Sequence, residues 1–247
     1  MKISLKSRLK NFADFVFPRS CIMCGAINPK GPFEFLCPQC ARQIPVCNMG
    51  KCLLCGEILG EIGAPDVEGC AKCAEMRIAY KRAHCPALFD GCVRKLIHAV
   101  KYRHEICAAR DLAKIALLHP QTADFLNGAT LIPVPVTTAK RIKRGYNQAE
   151  IIIREIARRG NLDCQIVNAL RRAKQSGTQT TLDRAHRIKN VAGAFAAAPK
   201  LKTIPKTRRV IICDDVMTTA ATVNECAKVL RKAGFENIYA FAVAKRM

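Results

Sequence analysis

The chain has 247 residues, with 41 lysines and arginines against 19 aspartates and glutamates, a formal net charge of +22. Half of the residues are hydrophobic, enough for a sizeable domain plus a smaller one. No apolar run reaches the ~18 residues of a membrane span, so an integral span is not expected, and the charge favours anionic partners: nucleic acid, a phosphorylated small molecule or an acidic surface.

The N-terminal segment "MKISLKSRLKNFADFVFPRSC" has too short an apolar core for a signal peptide. It reads as an amphipathic helix, with Leu5, Leu9, Phe12, Phe15 and Val16 on one side. A cytoplasmic location with reduced cysteines is the expectation.

Of the 15 cysteines, twelve lie in the first 107 residues, and eight of these form four CxxC pairs: Cys21/Cys24, Cys37/Cys40, Cys52/Cys55 and Cys70/Cys73. A CxxC turn places two thiolates on one metal ion, and two such turns complete the tetrahedral S4 set that suits Zn²⁺. An iron–sulfur cluster is the alternative occupant. Glycine follows two of the pairs, at Gly25 and Gly56, where the chain must turn beneath the metal. Sequential pairing puts Cys21, Cys24, Cys37 and Cys40 on one ion and Cys52, Cys55, Cys70 and Cys73 on the other; interleaved pairing satisfies the same spacings. With four thiolates per ion and no open position, the role is structural. Cys85, Cys92, Cys107, Cys164, Cys213 and Cys226 fall outside the pattern and read as small buried hydrophobes.

Two helical periods follow, over about 89–101 and 105–118. "ATLIPVPV", 129–136, reads as a strand entering a Pro-x-Pro loop, and Lys140, Arg141, Lys143 and Arg144 make a basic patch before a helix over 147–159 that Gly160 ends. Ligands in α/β folds sit beyond strand ends, where this patch lies. Between 171 and 190 there are six basic residues and one acidic one. Their centre, "QSGTQTT", reads as a loop leading into a short helix over about 182–189, either a lid over a phosphate or an exposed linker. Pro199 and Pro205 argue against regular structure over 196–209.

"VIICDDVMTTAATVNE", 210–225, opens a β-α-β unit with a strand over 209–213, a helix over about 220–233 and a strand over about 238–244. Asp214 and Asp215 stand at the end of a hydrophobic strand, and Thr218, Thr219 and Thr222 lead into a helix whose first N–H groups bind anions. The carboxylates can accept hydrogen bonds from two sugar hydroxyls or hold Mg²⁺. A phosphorylated ribose uses both halves at once.

That stretch resembles the phosphoribosyl-pyrophosphate (PRPP) motif of the type I phosphoribosyltransferases. The wider chain resembles the ComF family (competence protein F or GntX-like), through the paired cysteines at 21–73, "LIHAVKYR" at 96–103, "PVP" at 133–135, "KRGYNQAE" at 143–150 and "GTQTTLDRAHRIKNVAGAF" at 177–195. The resemblance implies a cysteine-rich zinc module over 1–80 and, over 81–247, an α/β phosphoribosyltransferase-like domain, a mostly parallel sheet flanked by helices. It implies that Asp214 and Asp215 contact the ribose and the metal-bound region, and that Thr218, Thr219, Ala220, Ala221 and Thr222 hold the 5′-phosphate. The loop Pro133–Pro135 would meet the pyrophosphate, with Arg144, Asn147 and Gln148 on its far side. Gln179, Arg187 and Asn190 would belong to a hood over the site. Mg²⁺ would enter with PRPP, and a reaction, if there is one, would displace pyrophosphate at ribose C1. The resemblance also implies a role in natural transformation, handling incoming single-stranded DNA alongside proteins of the DNA-uptake machinery. A phosphoribosyltransferase of nucleotide metabolism and a zinc-dependent adaptor are the competing readings. One residue departs from the family pattern: Ala220 replaces a glycine. A positive φ at that position is expected to shift the loop and weaken phosphate binding.

Overall fold

The computed structural model describes residues 19–27, 29–173 and 191–247. The N-terminal amphipathic helix, the short helix over 182–189 and the hood residues Gln179, Arg187 and Asn190 lie outside the described residues.

In chain order the elements are α1 (Pro38–Ala41), β1 (Met49–Lys51), β2 (Ile58–Ile62), α2 (Ala71–Ala74), β3 (Ala83–His84), β4 (Ala87–Leu88), α3 (Gly91–Tyr102), α4 (Ala108–Leu118) and α5 (Gln121–Leu126). Then come β5 (Thr130–Pro133), α6 (Thr138–Arg144), α7 (Gln148–Arg159), β6 (Gln165–Ile166), β7 (Leu170–Arg172), β8 (Phe195–Ala197), a 3-10 turn (Pro199–Thr203), β9 (Val210–Met217), α8 (Ala221–Lys232) and β10 (Ile238–Lys245).

A parallel sheet of order β3-β10-β9-β5-β6 forms the centre, with β4 continuing along the same edge of β10. Alternate residues of its strands serve two cores, as the period of two requires. Leu131, Ile211, Cys213, Phe241 and Val243 pack with α3, α4 and α7. Ile132, Val210, Ile212, Ala240 and Ala242 pack with α8. The cysteine-rich region is divided between these cores. Cys21, Phe33, Leu36 and Cys37 belong to the first, while Cys52, Cys55, Cys73 and Tyr80 belong to the second. The first half of that region is tied down by Asp111 of α4, a fully buried carboxylate that accepts from the backbone N–H groups of Glu34 at 2.9 Å and Phe35 at 2.7 Å.

Three expectations from the sequence are corrected. The strand expected over 209–213 runs on to Met217, because β10 pairs with the carboxylate positions: Asp214 faces Ala242 and Val216 faces Ala244. The basic patch lies on a helix of its own, α6, which Thr137 caps by accepting from the Lys140 N–H at 3.2 Å. The connecting stretch over 196–209 holds part of β8 and the 3-10 turn, which Pro199 starts at a position where its missing N–H costs nothing. Arg171 and Arg172, the first of the basic residues over 171–190, lie in a strand that pairs antiparallel with Phe195–Ala197, while the loop read at "QSGTQTT" lies outside the described residues.

Candidate ribose-phosphate site and cysteine tetrads

β5 and β9 are neighbours in the sheet, but the chain leaves β5 toward β6 on one side and returns as β9 on the other. Such a switch point opens a crevice at the carboxyl ends of the strands. Here Pro133 pairs with Cys213 and the β5 strand stops, while β9 continues to Met217. A cavity of about 850 Å³ occupies the gap. Its lining includes Pro135 and Thr137 from the loop after β5, Arg144 and Gln148 from α6 and α7, Asp214 and Asp215 from β9, and Thr218 and Thr222 beyond it.

The adjacent carboxylates point to opposite faces of the sheet, since they are consecutive strand residues. Asp215 is buried and forms an ion pair with Lys101 of α3. Burial pushes its carboxyl up, but the Lys101 ammonium outweighs this and holds it below the usual carboxylate range. Asp214 has no such cation in contact. Burial, and then the charge of Asp215, push its carboxyl well above the ordinary value. Asp214 Oδ1 accepts from the Asp215 N–H at 2.8 Å. One carboxylate is therefore paired with a cation from inside the protein, and the other is held toward its neutral form.

β9 leads into the start of α8, where the first-turn N–H groups have no intrahelical acceptor and could receive an anion. Ala220 caps the helix at φ 61°, in the left-handed region. It takes up the angle that favours glycine, and its methyl is buried in the α8 core, outside the cavity lining. Thr218 is fixed from behind: its carbonyl accepts from Lys245 Nζ at 2.6 Å. Lys245 is itself buried and lies 3.4 Å from Glu57, beside the second cysteine group.

The residues expected at this site do not all line the cavity. Pro135, Arg144, Gln148, Asp214, Asp215, Thr218 and Thr222 do; Asn147, Thr219, Ala220 and Ala221 do not. Asn147 instead caps α7 by accepting from the Ala149 N–H at 3.1 Å and donates to the Val134 carbonyl at 3.0 Å, which positions the loop after β5. Arg144 donates to Gln148 at 2.9 Å. The cavity also gathers Lys140 of the basic patch on α6, Arg172 from β7, and side chains that no sequence argument placed there: Arg94, His98, Lys101 and Tyr102 from α3, and Arg246. The "LIHAVKYR" block contained the signal for three of these. Burial, and then the neighbouring Arg144, Arg172 and Lys101, lower the Lys140 ammonium from its ordinary value. Cations crowded in this way favour an anion between them.

The eight paired cysteines form two tetrads with sequential membership, Cys21/Cys24/Cys37/Cys40 and Cys52/Cys55/Cys70/Cys73, and within each the four sulfurs lie within 4.8 Å of one another. The closest recorded Sγ–Sγ separations are 3.7 Å, in both tetrads. A Zn–S bond of about 2.3 Å gives a tetrahedron with edges of ~3.8 Å, so the donor set and spacing fit zinc. The first halves of the two tetrads use the same turn. Gly25 N–H donates to the Cys21 carbonyl and Gly56 N–H to the Cys52 carbonyl, both at 2.8 Å, and both glycines have positive φ (77° and 70°). The second halves sit on the short helices α1 and α2.

Residues 142–247 match the sequence model of the phosphoribosyl transferase domain. Competence protein F of Haemophilus influenzae is 27% identical over 226 residues, which cover 86% of this chain and 98% of that protein. DNA utilization protein YhgH of Escherichia coli K12 is 25% identical over 227 residues, 86% and 97% of the two chains. Its counterpart in Salmonella typhi is 26% identical over 219 residues, 86% and 91%. A solved hypoxanthine phosphoribosyltransferase from Staphylococcus aureus aligns with a TM-score of 0.34 and 14% identity over 58% of this chain and 74% of that one, a likeness too loose to carry residue roles. The chain is thus a homologue of competence protein F and YhgH, in which two cysteine tetrads are joined to a phosphoribosyl transferase domain.

Proposed function

We propose that the cavity binds a 5-phosphoribosyl ligand of the PRPP class, and that the protein acts in natural transformation by handling single-stranded DNA in the cytoplasm. The observation that carries the ligand is the junction of β9 and α8: the Asp214 carboxyl next to a helix start, with Thr218 and Thr222 on the same cavity wall. The ribose hydroxyls would donate to Asp214 and Asp215, and the 5′-phosphate would lie on the α8 start. The diphosphate would extend toward Pro135, Lys140 and Arg144. Mg²⁺ would enter on the diphosphate, because Lys101 already occupies Asp215 and no dedicated carboxylate cage is left. Each tetrad would hold one structural Zn²⁺. The role in transformation rests on the names of the relatives and on the +22 charge.

Any transfer would break the C1–O bond to pyrophosphate and form a bond from C1 to an acceptor. The protein's part in it would be position and charge, with Lys140 and Arg144 facing the departing diphosphate. Calorimetric titration of the zinc-loaded chain with PRPP and Mg²⁺ tests the reading. Wild type is expected to bind and Asp214→Ala plus Asp215→Ala to lose binding; no heat with wild type would refute it.

A further inference from the structure

Helix α3 turns one stripe of side chains into the cavity. Arg94, His98 and Tyr102 are spaced by four residues, one turn apart, and all three line it. Phe89, just before the helix, adds a third ring. The rings form a continuous row: Phe89 and His98 have centroids 5.9 Å apart, and His98 and Tyr102 5.5 Å apart. Tyr102 is 65% exposed, although the chain has no tryptophan and only four tyrosines. The Arg144 guanidinium lies 5.4 Å from its ring centre.

Phe89 also packs against the first core, but His98 and Tyr102 do not belong to it, because α3 packs on the sheet through its other side, with Leu96, Ile97 and Val100 fully buried. A ribose phosphate does not need the row, since sugar and phosphate are satisfied by carboxylates, hydroxyls and N–H groups. The rings are inclined to one another, by 54° between Phe89 and His98 and 84° between His98 and Tyr102, so each offers its own face; with arginines beside them they match bases splayed from a phosphate chain rather than one continuous stack. Burial, and then Arg94 and Lys101, lower the His98 imidazole from its ordinary value, which favours the neutral ring at physiological pH.

We propose that the exposed stripe of α3 is a base-stacking platform for single-stranded nucleic acid, with the bases against Phe89, His98 and Tyr102 and the backbone phosphates against Arg94 and Arg246. The inference rests on the DNA-handling reading above and gives it a surface. With centroid steps of 5.9 Å and 5.5 Å, the row of rings has room for about two bases of a strand, so the platform reads a short stretch and tolerates any sequence.

Fluorescence anisotropy on the full-length, zinc-loaded chain tests it, with a labelled oligothymidylate of twelve residues and an abasic oligomer of the same length and charge. Counterion release is the same for both, so a difference reports the bases. Wild type is expected to prefer the base-bearing oligomer by at least tenfold, from two stacked bases. His98→Ala plus Tyr102→Ala should remove the preference, and Tyr102→Phe should retain it, which separates stacking from misfolding. Equal affinity of wild type for the two oligomers, as a mere polyanion surface would give, overturns the proposal, as does a preference that survives the double substitution. PRPP titrated into the same preparation keeps the two readings apart. Base preference without PRPP binding defeats the ribose-phosphate site alone, and PRPP binding without base preference defeats the platform alone.

Discussion

Ala220 gives the sharpest test of how the phosphate loop is held. It has φ 61° and ψ −1°, is buried, and caps the helix that follows β9 directly. A non-glycine residue in the left-handed region costs about 1–2 kcal/mol. Replacing it by glycine releases that strain. Glycine returns about 0.5–1 kcal/mol through the freedom of the unfolded chain, and the lost buried methyl returns up to about 0.8 kcal/mol. The terms nearly cancel, so Ala220→Gly should change stability by less than about 1 kcal/mol, a shift in Tm below roughly 4 °C for a domain of this size. Because the methyl lies outside the cavity lining, PRPP affinity should change by less than threefold, contrary to the loop shift expected from the sequence. Differential scanning calorimetry and titration calorimetry on the two proteins would measure both. A tenfold gain in affinity on introducing glycine would show that alanine distorts the anion-binding loop, and the argument from its buried methyl would fail.

Three other outcomes follow from the buried charges. Burial and the neighbouring Asp215 raise the Asp214 carboxyl well above its ordinary value, so its contribution to stability is complete below the ordinary carboxylate range and is lost as pH rises through the folded-state value. Asp214→Asn should therefore melt higher than wild type at pH 7, by a margin that closes toward pH 4, while abolishing PRPP binding. A lower Tm at pH 7 would contradict the assigned sign. Lys101→Met strands the 3%-exposed Asp215. With allowance for the partial exposure of Lys101, it should cost about 2–4 kcal/mol by urea denaturation, and adding Asp215→Asn should recover part of the loss. Asp111→Ala leaves the N–H groups of Glu34 and Phe35 without their acceptor, at a cost of about 2–4 kcal/mol. It should also speed loss of metal to a chelator from the first tetrad more than from the second, as followed by metal-release colorimetry in single-tetrad variants.

Much of the fold is local and was readable from local pattern. The β9–α8–β10 unit has a hydrophobic run, a small-residue turn, an amphipathic helix and a Gly234 stop in sequence, and the tetrads follow from two-residue gaps repeated four times. What was misread depends on distant partners. Aspartate is a poor strand former, and only the presence of Ala242 and Ala244 alongside carries β9 past residue 213. Lys101 looked like one more cation on a helix, because its meaning comes from Asp215, more than a hundred residues away. Asn147 was read as a ligand contact where its short amide acts as a helix cap, a common use of asparagine at that position.

The parallel order of the sheet has a consequence for biogenesis. Strand β3, which follows directly after the cysteine-rich region, finds its partner only in β10: Ala83 pairs with Ala240 and His84 with Phe241. β10 begins more than 150 residues after β3. During synthesis all eight tetrad cysteines therefore emerge well before the strand on which their segment docks. The two tetrads can gather early, from contacts of low sequence separation, but the docking of that segment on the sheet is a late, long-range event. The nascent protein must carry its thiols safely through that interval, and early closure of the tetrads, on metal if the proposed zinc is their occupant, is the simplest way for the chain to do so.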